Sequence, residues 1–201
     1  MTAVAGGTMV VETDPFRSRL LEGLAASIGE RGYRATTVAD IVRHARTSKR
    51  TFYDRFDSKE HCFLQLLMAD NEELGQSIRT AVDPEADWHH QIRQAVQAYV
   101  THIESRPAVT LSWIREFPSL GAVAYPVQRR GIQLLTSLLM ELSASPGFRR
   151  ASLPPMPAPL AVILLGGLRE LTALTVEDGK DVREIVEPAV DASIALLGPR
   201  H

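Results

Sequence analysis

Apolar residues recur along this chain at intervals of three and four, the period of an α-helix, and this pattern restricts its fold more than any other feature. The first such stripe follows Asp14 and Pro15, a typical N-cap and a typical first helical residue. It ends at Gly32, a residue type common at helix C-termini. No strand-like alternation accompanies it, and we predict an all-α fold. The stripe, which we expect to be buried, consists of Phe16, Leu20, Leu21, Leu24 and Ile28.

A second helix is predicted for residues 38–45. Thr37 is suited to be its N-cap, and Asp40, three positions later, gives a weaker variant of the capping box. The helical pattern then breaks at Arg46 and Thr47. A short turn is therefore expected between this helix and the next.

A third, brief helix is predicted for residues 49–56, with Ser48 as its N-cap. Its apolar face consists only of Phe52 and Phe56, which are four residues apart and share one side of a helix. A longer helix begins after Ser58. Three short helices leading into a fourth within about 50 residues have a common size for a minimal domain.

Charge is distributed unevenly along the chain. The net charge is −2, yet residues 40–59 contain six basic and three acidic side chains. Such a patch can attract phosphates in a slightly acidic protein, because salt screens charges beyond about 10 Å. A charged run is more often only a solvated face, so the charge alone assigns no function.

The outer face of the third helix and of the turn before it combines hydroxyl and basic side chains. These residue types contact phosphates and read bases. A helix about 10–12 Å across fits the major groove of B-DNA. The pattern therefore predicts a helix-turn-helix whose third helix is the recognition helix. The residues of this face are Thr47, Ser48, Lys49, Arg50, Thr51 and Tyr53.

Two stretches of the sequence resemble the DNA-binding domain of the TetR family: residues 32–42 (GYRATTVADIV) and residues 48–60 (SKRTFYDRFDSKE). The resemblance extends over about residues 16–64. It implies an N-terminal three-helix helix-turn-helix domain followed by a helical domain for ligand binding and dimerisation. We accordingly expect a flexible tail at 1–13, a DNA-binding domain at 14–64 and an effector-binding and dimerisation domain at 65–201.

The resemblance also implies roles at matching positions. Thr47, Ser48, Lys49 and Arg50 are expected to face the groove; Thr51, Tyr53 and Arg55 to contact the sugar-phosphate backbone; Lys59 to contact a phosphate; and Thr36 and Thr37 to contact the backbone at the entrance of the second helix. Some of these have plainer explanations. Thr37 and Ser48 are equally explained as helix caps, and Tyr53 as a ring packed beside the helix pair.

Arg46 and Arg50 depart from the family pattern, which usually has glycine in the turn and a small residue at the later position. Arg46, which we include in the DNA-binding set, either tolerates an unfavourable backbone or adopts a turn without positive φ. A bidentate contact from Arg50 to guanine would contribute about 1–3 kcal/mol of discrimination. We expect Arg50→Ala to relax sequence preference and Lys59→Ala to weaken binding to all sequences about equally.

The C-terminal two-thirds is predicted to be helical without a comparable motif. We expect a linker at 83–87, helices at 88–105, 108–117, 122–143, 160–176 and 182–197, and a proline-rich loop at 146–159. Ile132 is expected inside the protein. Pro188 is expected to kink or delay the last helix, because it lacks a backbone donor.

The segment 160–168 is apolar on nearly every face and must be covered on more than one side. Gly166 and Gly167 allow another helix to approach closely. We expect a homodimer through the last two helices, which the resemblance also implies. The alternative is that these helices pack only on their own subunit.

By the same resemblance, the middle helices enclose an effector pocket. Its candidate lining is Tyr99, His102, Ile103, Trp113, Phe117 and Leu135, a set suited to a small hydrophobic molecule. For any single member, an ordinary core position is the plainer explanation. Arg115 and Arg169 have acidic neighbours, Glu116 and Glu170, and are interpreted as surface charges.

Other classes of function find little support. The chain has no nucleophile elbow, phosphate-binding glycine loop or H-E-x-x-H motif, and adjacent His89 and His90 point about 100° apart on a helix. No enzyme activity, cofactor or metal site is predicted. Cys62 is the sole cysteine, which favours a reducing compartment.

We expect a cytoplasmic protein without a secretory signal or membrane span. The predicted function is ligand-gated repression of a palindromic double-stranded DNA operator. A helical adaptor that keeps the fold without binding an operator is the alternative.

Overall fold

The computed structural model describes residues 14–199, and within this range the chain forms ten α-helices and two 3₁₀ helices without a β-strand. The predicted all-α fold is confirmed. The predicted tail, residues 1–13, lies outside the described range. The α-helices are α1 (Pro15–Ala35), α2 (Val38–His44), α3 (Lys49–Tyr53), α4 (Lys59–Ala81), α5 (Trp88–Ser105), α6 (Pro107–Arg115), α7 (Tyr125–Ser143), α8 (Pro146–Arg150), α9 (Ala158–Glu177) and α10 (Val186–Leu197); the 3₁₀ helices are Phe117–Ala124 and Val182–Ile185.

The two ends of α1 are set by the residues that the sequence indicates. The Asp14 carboxylate accepts hydrogen bonds from the backbone N–H groups of Phe16, at 2.9 Å, and Arg17, at 3.4 Å. Gly32 has φ of 77°, a conformation that glycine adopts without strain, and it interrupts the helix where an end was predicted. The prediction that Phe16 is buried was wrong. Its ring is 39% exposed and lies under the guanidinium of Arg19.

Hydroxyl caps begin both α2 and α3, as predicted. The backbone N–H of Asp40 donates to Thr37 Oγ1 at 3.3 Å, and the N–H of Thr37 donates back to Asp40 Oδ2 at 3.0 Å, which completes a capping box. The N–H of Thr51 donates to Ser48 Oγ at 3.1 Å. α3 ends at Tyr53, three residues before the predicted end, because the chain turns there to reach the start of α4.

A single core joins the first four helices to α6 and to the 3₁₀ helix Phe117–Ala124. The predicted domain boundary at residue 64 lies inside α4, which runs through it without a break. The two predicted domains thus share a helix and a core. The fully buried large side chains of this core are Leu20, Leu24, Ile28, Ile41, Phe52, Phe56, Phe63, Leu66, Leu67 and Phe117.

In the C-terminal part, α5 has the predicted limits, but other predictions there were wrong. α7 begins at Tyr125 because a 3₁₀ helix occupies the preceding residues, and Ile132 on α7 is 39% exposed. The predicted loop 146–159 contains α8, since Pro146 occupies an early helical position, where its missing N–H costs nothing. The N–H of Gly147 donates to the carbonyl of Pro84 at 3.1 Å and holds α8 against the 83–87 segment.

The last two long helices leave apolar side chains at the surface. Pro188 falls in the first turn of α10, where backbone N–H groups have no intrahelical partner, and a 3₁₀ turn precedes it. The predicted delay of this helix is confirmed. α9 packs on α6 and α7, and its side chains Val162, Ile163 and Leu174 remain exposed.

By length and composition, α9 is also the one helix in the 14–199 range that could cross a membrane, with a mean hydropathy of 1.5 over an 18-residue window. Of that window, 28% is buried within the protein. Core helices of soluble proteins pass the same test, so this is weak evidence for a membrane span.

Candidate nucleic-acid interface and effector cavity

The position of α3 is fixed by two buried rings. Phe52 and Phe56 are 0% and 1% exposed, with ring centroids 5.6 Å apart, and they pack in the core with Ile41 of α2. Because both rings point inward, the opposite side of this short helix faces solvent. α2 supports it from behind, in the arrangement of a helix-turn-helix.

The outward side of α3 carries the predicted DNA-contacting residues. Lys49, Arg50 and Ser48 are exposed, and Thr51 is half-buried. The ring of Tyr53 is 57% exposed and meets Phe52 edge-on, at 5.3 Å between centroids. A large aromatic side chain held at the surface beside basic groups is suited to a partner with phosphates and stacked bases.

The turn before α3 has the strained geometry that one of the two alternatives required. Arg46 has φ of 50°, in the left-handed region that favours glycine, and its side chain is exposed. The N–H of Thr47 donates to the carbonyl of Val42 at 3.0 Å and closes the turn. The chain therefore accepts an unfavourable backbone here and presents a guanidinium where the family usually has glycine.

Three cations of this face have no carboxylate within 4 Å among residues 14–199: Arg46, Lys49 and Arg50. The preceding helix behaves differently, since Arg43 lies 3.3 Å from Glu30 and 3.7 Å from Asp40. Basic side chains are thus neutralised behind the turn and left free in front of it.

Asp40 takes part in both the capping and the charge balance of α2. Hydrogen bonds from the hydroxyl and N–H of Thr37 lower the pKa of Asp40 below its ordinary value, and the nearby positive charges of Arg31 and Arg43 lower it further. Thr37 itself is exposed at the start of α2. Its position leaves the predicted backbone contact open, while its hydroxyl already serves as a cap.

Three residues predicted to contact DNA have side chains that contact other parts of the protein. Thr36 is 2% exposed, and its hydroxyl donates to the carbonyl of Gly32 at 2.8 Å. Arg55 donates through Nε to Asp14 at 2.8 Å and lies over the ring of Phe16. Thr36 thus contacts the C-terminal end of α1, and Arg55 contacts its N-cap.

Lys59 is the third residue of this set. Its Nζ donates to the carbonyls of Tyr33, at 3.1 Å, and Thr36, at 3.0 Å, and lies 4.4 Å from the centroid of the Tyr33 ring. A cation at carbonyls that end a helix is favourable. The ammonium group therefore fixes the start of α4 to the end of α1.

Most of the residues predicted to bind the effector lie around one cavity. The cavity lies among α4, α5, α6, α7 and α9, and encloses about 880 Å³ of space free of protein atoms, part of it open to solvent. Phe117 is the exception, because it is 2% exposed in the core below and contributes nothing to this wall. The predicted residues on the wall are Tyr99, His102, Ile103, Trp113 and Leu135.

Polar residues outside the predicted set also line this cavity, which we call the polar cavity. Asp70 and Asn71 interrupt the apolar stripe of α4 between Leu67 and Leu74, which was the available indication in the sequence. The amide of Asn71 donates to the Leu67 carbonyl at 2.9 Å. Nε2 of His102 lies 3.2 Å from Oδ1 of Asp70 but without the angles of a hydrogen bond.

The interpretation of Arg115 and Arg169 as surface charges holds for only one of them. Arg115 forms paired hydrogen bonds with Glu170 and Glu177, between 2.6 and 3.0 Å, at the surface. Arg169 is half-buried in the wall of the polar cavity and donates to the carbonyl of Ile114 at 3.1 Å. Burial lowers the pKa of Arg169 from its ordinary value.

A second, almost wholly apolar cavity adjoins the first. It encloses about 780 Å³ of space free of protein atoms, again partly open, and shares Leu74, Tyr99, Leu135 and Leu165 with the polar cavity. Burial raises the pKa of Tyr99 to about 12, so its hydroxyl stays neutral, and it lies 2.8 Å from the hydroxyl of Thr172. Leucines of α7 and α9, together with Phe148, Met156 and apolar residues of α5, also line it.

Comparison with known sequences locates the same N-terminal segment. Residues 20–66 match the model of the family described as bacterial regulatory proteins, tetR family. The chain is 26% identical over 105 residues to the uncharacterized HTH-type transcriptional regulator YhgD of Bacillus subtilis, covering 52% of this chain and 54% of that protein. It is 31% identical over 91 residues to the HTH-type transcriptional activator FasR of Mycolicibacterium smegmatis, covering 45% and 42%. The chain spans about half the length of the curated relatives it matches.

Solved structures resemble the chain over nearly its whole length. The fatty acid degradation regulator FadR of Bacillus halodurans has a TM-score of 0.73 at 21% identity, covering 93% of this chain and 97% of that one. FadR of Bacillus subtilis, solved in complex with stearoyl-CoA, has a TM-score of 0.69 at 14% identity, covering 92% and 99%. At such identities the likeness establishes the fold. The segment 20–66 thus matches the tetR family model, and the chain as a whole has the fold of these solved regulators.

Proposed function

We propose that this protein is a transcriptional regulator that binds a double-stranded DNA operator through the outward face of α3. The observation that carries the proposal is the face itself. Within the described residues 14–199, no carboxylate lies within 4 Å of Arg46, Lys49 or Arg50, and the exposed Tyr53 lies on the same short helix, which two buried phenylalanines anchor. A half-site needs side chains for both backbone and bases on one narrow helix. The exposed hydroxyls of Thr37 and Ser48 border the same face.

The protein acts as a homodimer through α9 and α10. Val162, Ile163 and Leu174 on α9 and Leu196 on α10 are exposed in the single chain, although they are apolar. A symmetric four-helix contact between two copies removes this surface from water. It also holds two α3 helices at a fixed separation, which is near one DNA turn, about 34 Å, for a palindromic operator.

The effector is a small, mainly hydrophobic molecule bound among the middle helices. The apolar lining of the second cavity supports this, and FadR of Bacillus subtilis was solved with stearoyl-CoA. We place the effector-binding and dimerisation function in residues 65–201 and the DNA-binding function in residues 14–64. The protein is expected to act in the cytoplasm, where its operator lies.

Coupling between the two sites passes through α6 as well as α4. Trp113 and Ile114 of α6 line the polar cavity, whereas Val109 on the same helix packs in the core of the DNA-binding region. Ion pairs fix both ends of the α6 region to α1, at 3.1 Å between Arg106 and Glu22 and at 2.6 Å between Glu116 and Arg34. An effector that shifts α6 therefore moves α1 directly.

An effector that favours a different α3 separation weakens DNA binding by the same factor by which DNA weakens effector binding. Release of a repressor from its operator is the proposed outcome. The relative FasR is named an activator, so the sign of regulation is itself a measurement.

The proposal is tested by selecting genomic fragments with the purified chain and titrating the selected duplex by fluorescence anisotropy. Affinity is expected to fall by about 10³- to 10⁵-fold between about 50 and 200 mM salt if 6–10 phosphates are contacted. Lys49→Ala and Tyr53→Ala should weaken binding. Arg150→Ala, an exposed arginine on α8 paired with Glu85, is the control and should bind as the unmodified chain does.

If no duplex binds at low salt, the operator proposal fails and the helical adaptor remains. Equal losses for Lys49→Ala and Arg150→Ala would contradict the assignment of the site to α3. A compound screen on the protein–duplex complex then identifies effectors by release of the DNA.

A further inference from the structure

The wall of the polar cavity contains an arginine, Arg169. Arg169 is half-buried, and among residues 14–199 no carboxylate lies within 4 Å of it. Its recorded hydrogen bond is the donation to the carbonyl of Ile114. A guanidinium has five N–H donors, so most of its donors face the cavity or its mouth without a protein acceptor.

Two other charged residues near this site have neighbours of their own. Arg115, two residues after Trp113 on α6, forms hydrogen bonds with both Glu170 and Glu177. Neither of these carboxylates lies within 4 Å of Arg169. On the opposite wall, Asp70 has His102 within 3.2 Å. Burial lowers the pKa of Arg169, and the negative charge of Glu170 offsets part of this lowering, which agrees with a guanidinium that lacks full hydration.

The space next to Arg169 determines the rest of the ligand. Leu165, one turn before Arg169 on α9, lines both cavities, and Leu135 and Leu74 do the same. A molecule whose head lies at Arg169 can therefore extend along shared walls into the leucine-lined cavity. The apolar cavity offers almost no polar group along its course, which suits a hydrocarbon chain.

We propose that the effector is a linear amphiphile with a carboxylate head, bound by Arg169 in the polar cavity, and a hydrocarbon tail in the adjoining apolar cavity. This inference rests on the proposed function, since it specifies the chemistry of its effector. Arginine binds a carboxylate through two parallel hydrogen bonds, which fixes the head as well as neutralising the charge. Asp70 opposes an anion in the same cavity and therefore sets a limit on its affinity.

Binding is measured without DNA, using dodecanoate, methyl dodecanoate, dodecan-1-ol and dodecanoyl-CoA below their micellar concentrations. The chain has two tryptophans, and only Trp113 lines the polar cavity, whereas Trp88 packs against Phe148. Trp88→Phe leaves Trp113 as the fluorescent reporter, with calorimetry as an independent measure. Dodecanoate is expected to bind about 10- to 100-fold tighter than the ester or the alcohol, the range for a hydrogen-bonded charge pair.

Variants assign this preference to Arg169. Arg169→Met should abolish the difference between acid and ester, while Arg169→Lys should retain most of it, which separates charge from a folding defect. Asp70→Asn should tighten dodecanoate binding several-fold, because a negative charge is removed from the cavity. Arg93→Met, an exposed arginine paired with Glu187, is the matched control and should change nothing.

Equal affinity for acid and ester, or a preference that survives Arg169→Met, would overturn the inference. So would tight binding of dodecanoyl-CoA with no binding of dodecanoate, since the thioester carries no charge at that position. Anisotropy of the operator complex is a separate readout. If dodecanoate binds as expected and the DNA is not released, the proposed regulation fails while the assignment of the head group stands.

Discussion

The exposed sides of α3 and α9 differ in every respect that bears on function. α3 has five residues, is held by two buried phenylalanines, and presents cations and hydroxyls to solvent. α9 has 20 residues and presents Val162, Ile163 and Leu174 instead. Among residues 14–199, the cations on the α3 face have no carboxylate partner. The apolar side chains on the α9 face are exposed to water.

The difference between the two helices indicates different partners. A face of unpaired cations and hydroxyls is suited to a polyanion, whose binding then depends on salt. An apolar face is suited to a surface of like composition, whose binding depends on area and shape. Substitutions that affect one face and leave the fold intact should therefore separate DNA contact from assembly.

The largest effect is expected when the face of α9 is made charged. Ile163 is 61% exposed in the single chain, so Ile163→Glu should leave the fold intact while burying an unpaired charge in any dimer. Loss of the dimer removes the second half-site contact, and operator affinity should fall about 100- to 10,000-fold. Sedimentation velocity and anisotropy measure the two consequences.

The control for this substitution is Val123→Glu. Val123 is 73% exposed on the 3₁₀ helix before α7, outside the proposed interface. The Val123→Glu variant should remain a dimer with unchanged operator affinity. If both variants stay dimeric, α9 is not the interface and the alternative, packing within one subunit, is correct.

The second effect concerns discrimination at α3. Arg50→Ala should reduce the preference for operator over scrambled DNA by about 1–3 kcal/mol, the value of a bidentate contact to guanine. Lys49→Ala should weaken both duplexes more evenly. Parallel titrations on the two duplexes measure the ratio, and unchanged discrimination in Arg50→Ala removes Arg50 from the base-reading set.

The same two helices mark how far the sequence alone could lead. The caps Asp14, Thr37 and Ser48 and the buried pair Phe52 and Phe56 were predicted because they depend on neighbours within a few residues. The spacing of residues over one or two helical turns is enough to predict such interactions. For Arg46, the sequence alone does not decide between a strained backbone and a turn without positive φ, because its φ is set by how α2 and α3 pack.

What could not be predicted depends on contacts between distant segments. Lys59 reaches carbonyls more than 20 positions earlier, and Arg55 pairs with a carboxylate 41 positions earlier. Arg169 differs from Arg115 only through which helix faces each side chain. Phe117 was placed in the pocket by its apolar character, which a core position explains equally well. Side-chain type alone does not distinguish such cases.

A third prediction separates outward from inward cations. Lys59→Met removes two hydrogen bonds to carbonyls and a contact with Tyr33, so the free energy of unfolding should fall by about 1–3 kcal/mol. Lys49→Met, at an exposed position without a partner, should change it by less than about 0.5 kcal/mol. Urea denaturation measures both. If Lys59→Met keeps its stability but lowers the salt dependence of DNA binding, Lys59 is a phosphate contact after all.

The smallest effect should appear in the turn before α3, where stability and binding oppose each other. A left-handed residue other than glycine costs about 1–2 kcal/mol, and the greater freedom of glycine in the unfolded chain returns about 0.4–1 kcal/mol of this. Arg46→Gly should therefore stabilise the protein by about 0.5–1 kcal/mol. It should also lower the slope of log affinity against log salt by about 0.9, if the guanidinium contacts one phosphate.

Arg46→Ala separates the two contributions, because it removes the same charge but keeps the strained φ of 50°. Both variants should lose the same salt dependence, and only the glycine variant should gain stability. Equal stabilities would show that the turn relaxes around any small side chain. An unchanged salt slope in both would show that the guanidinium at this turn does not contact DNA. The arginine at this strained turn position would then have a role other than DNA contact.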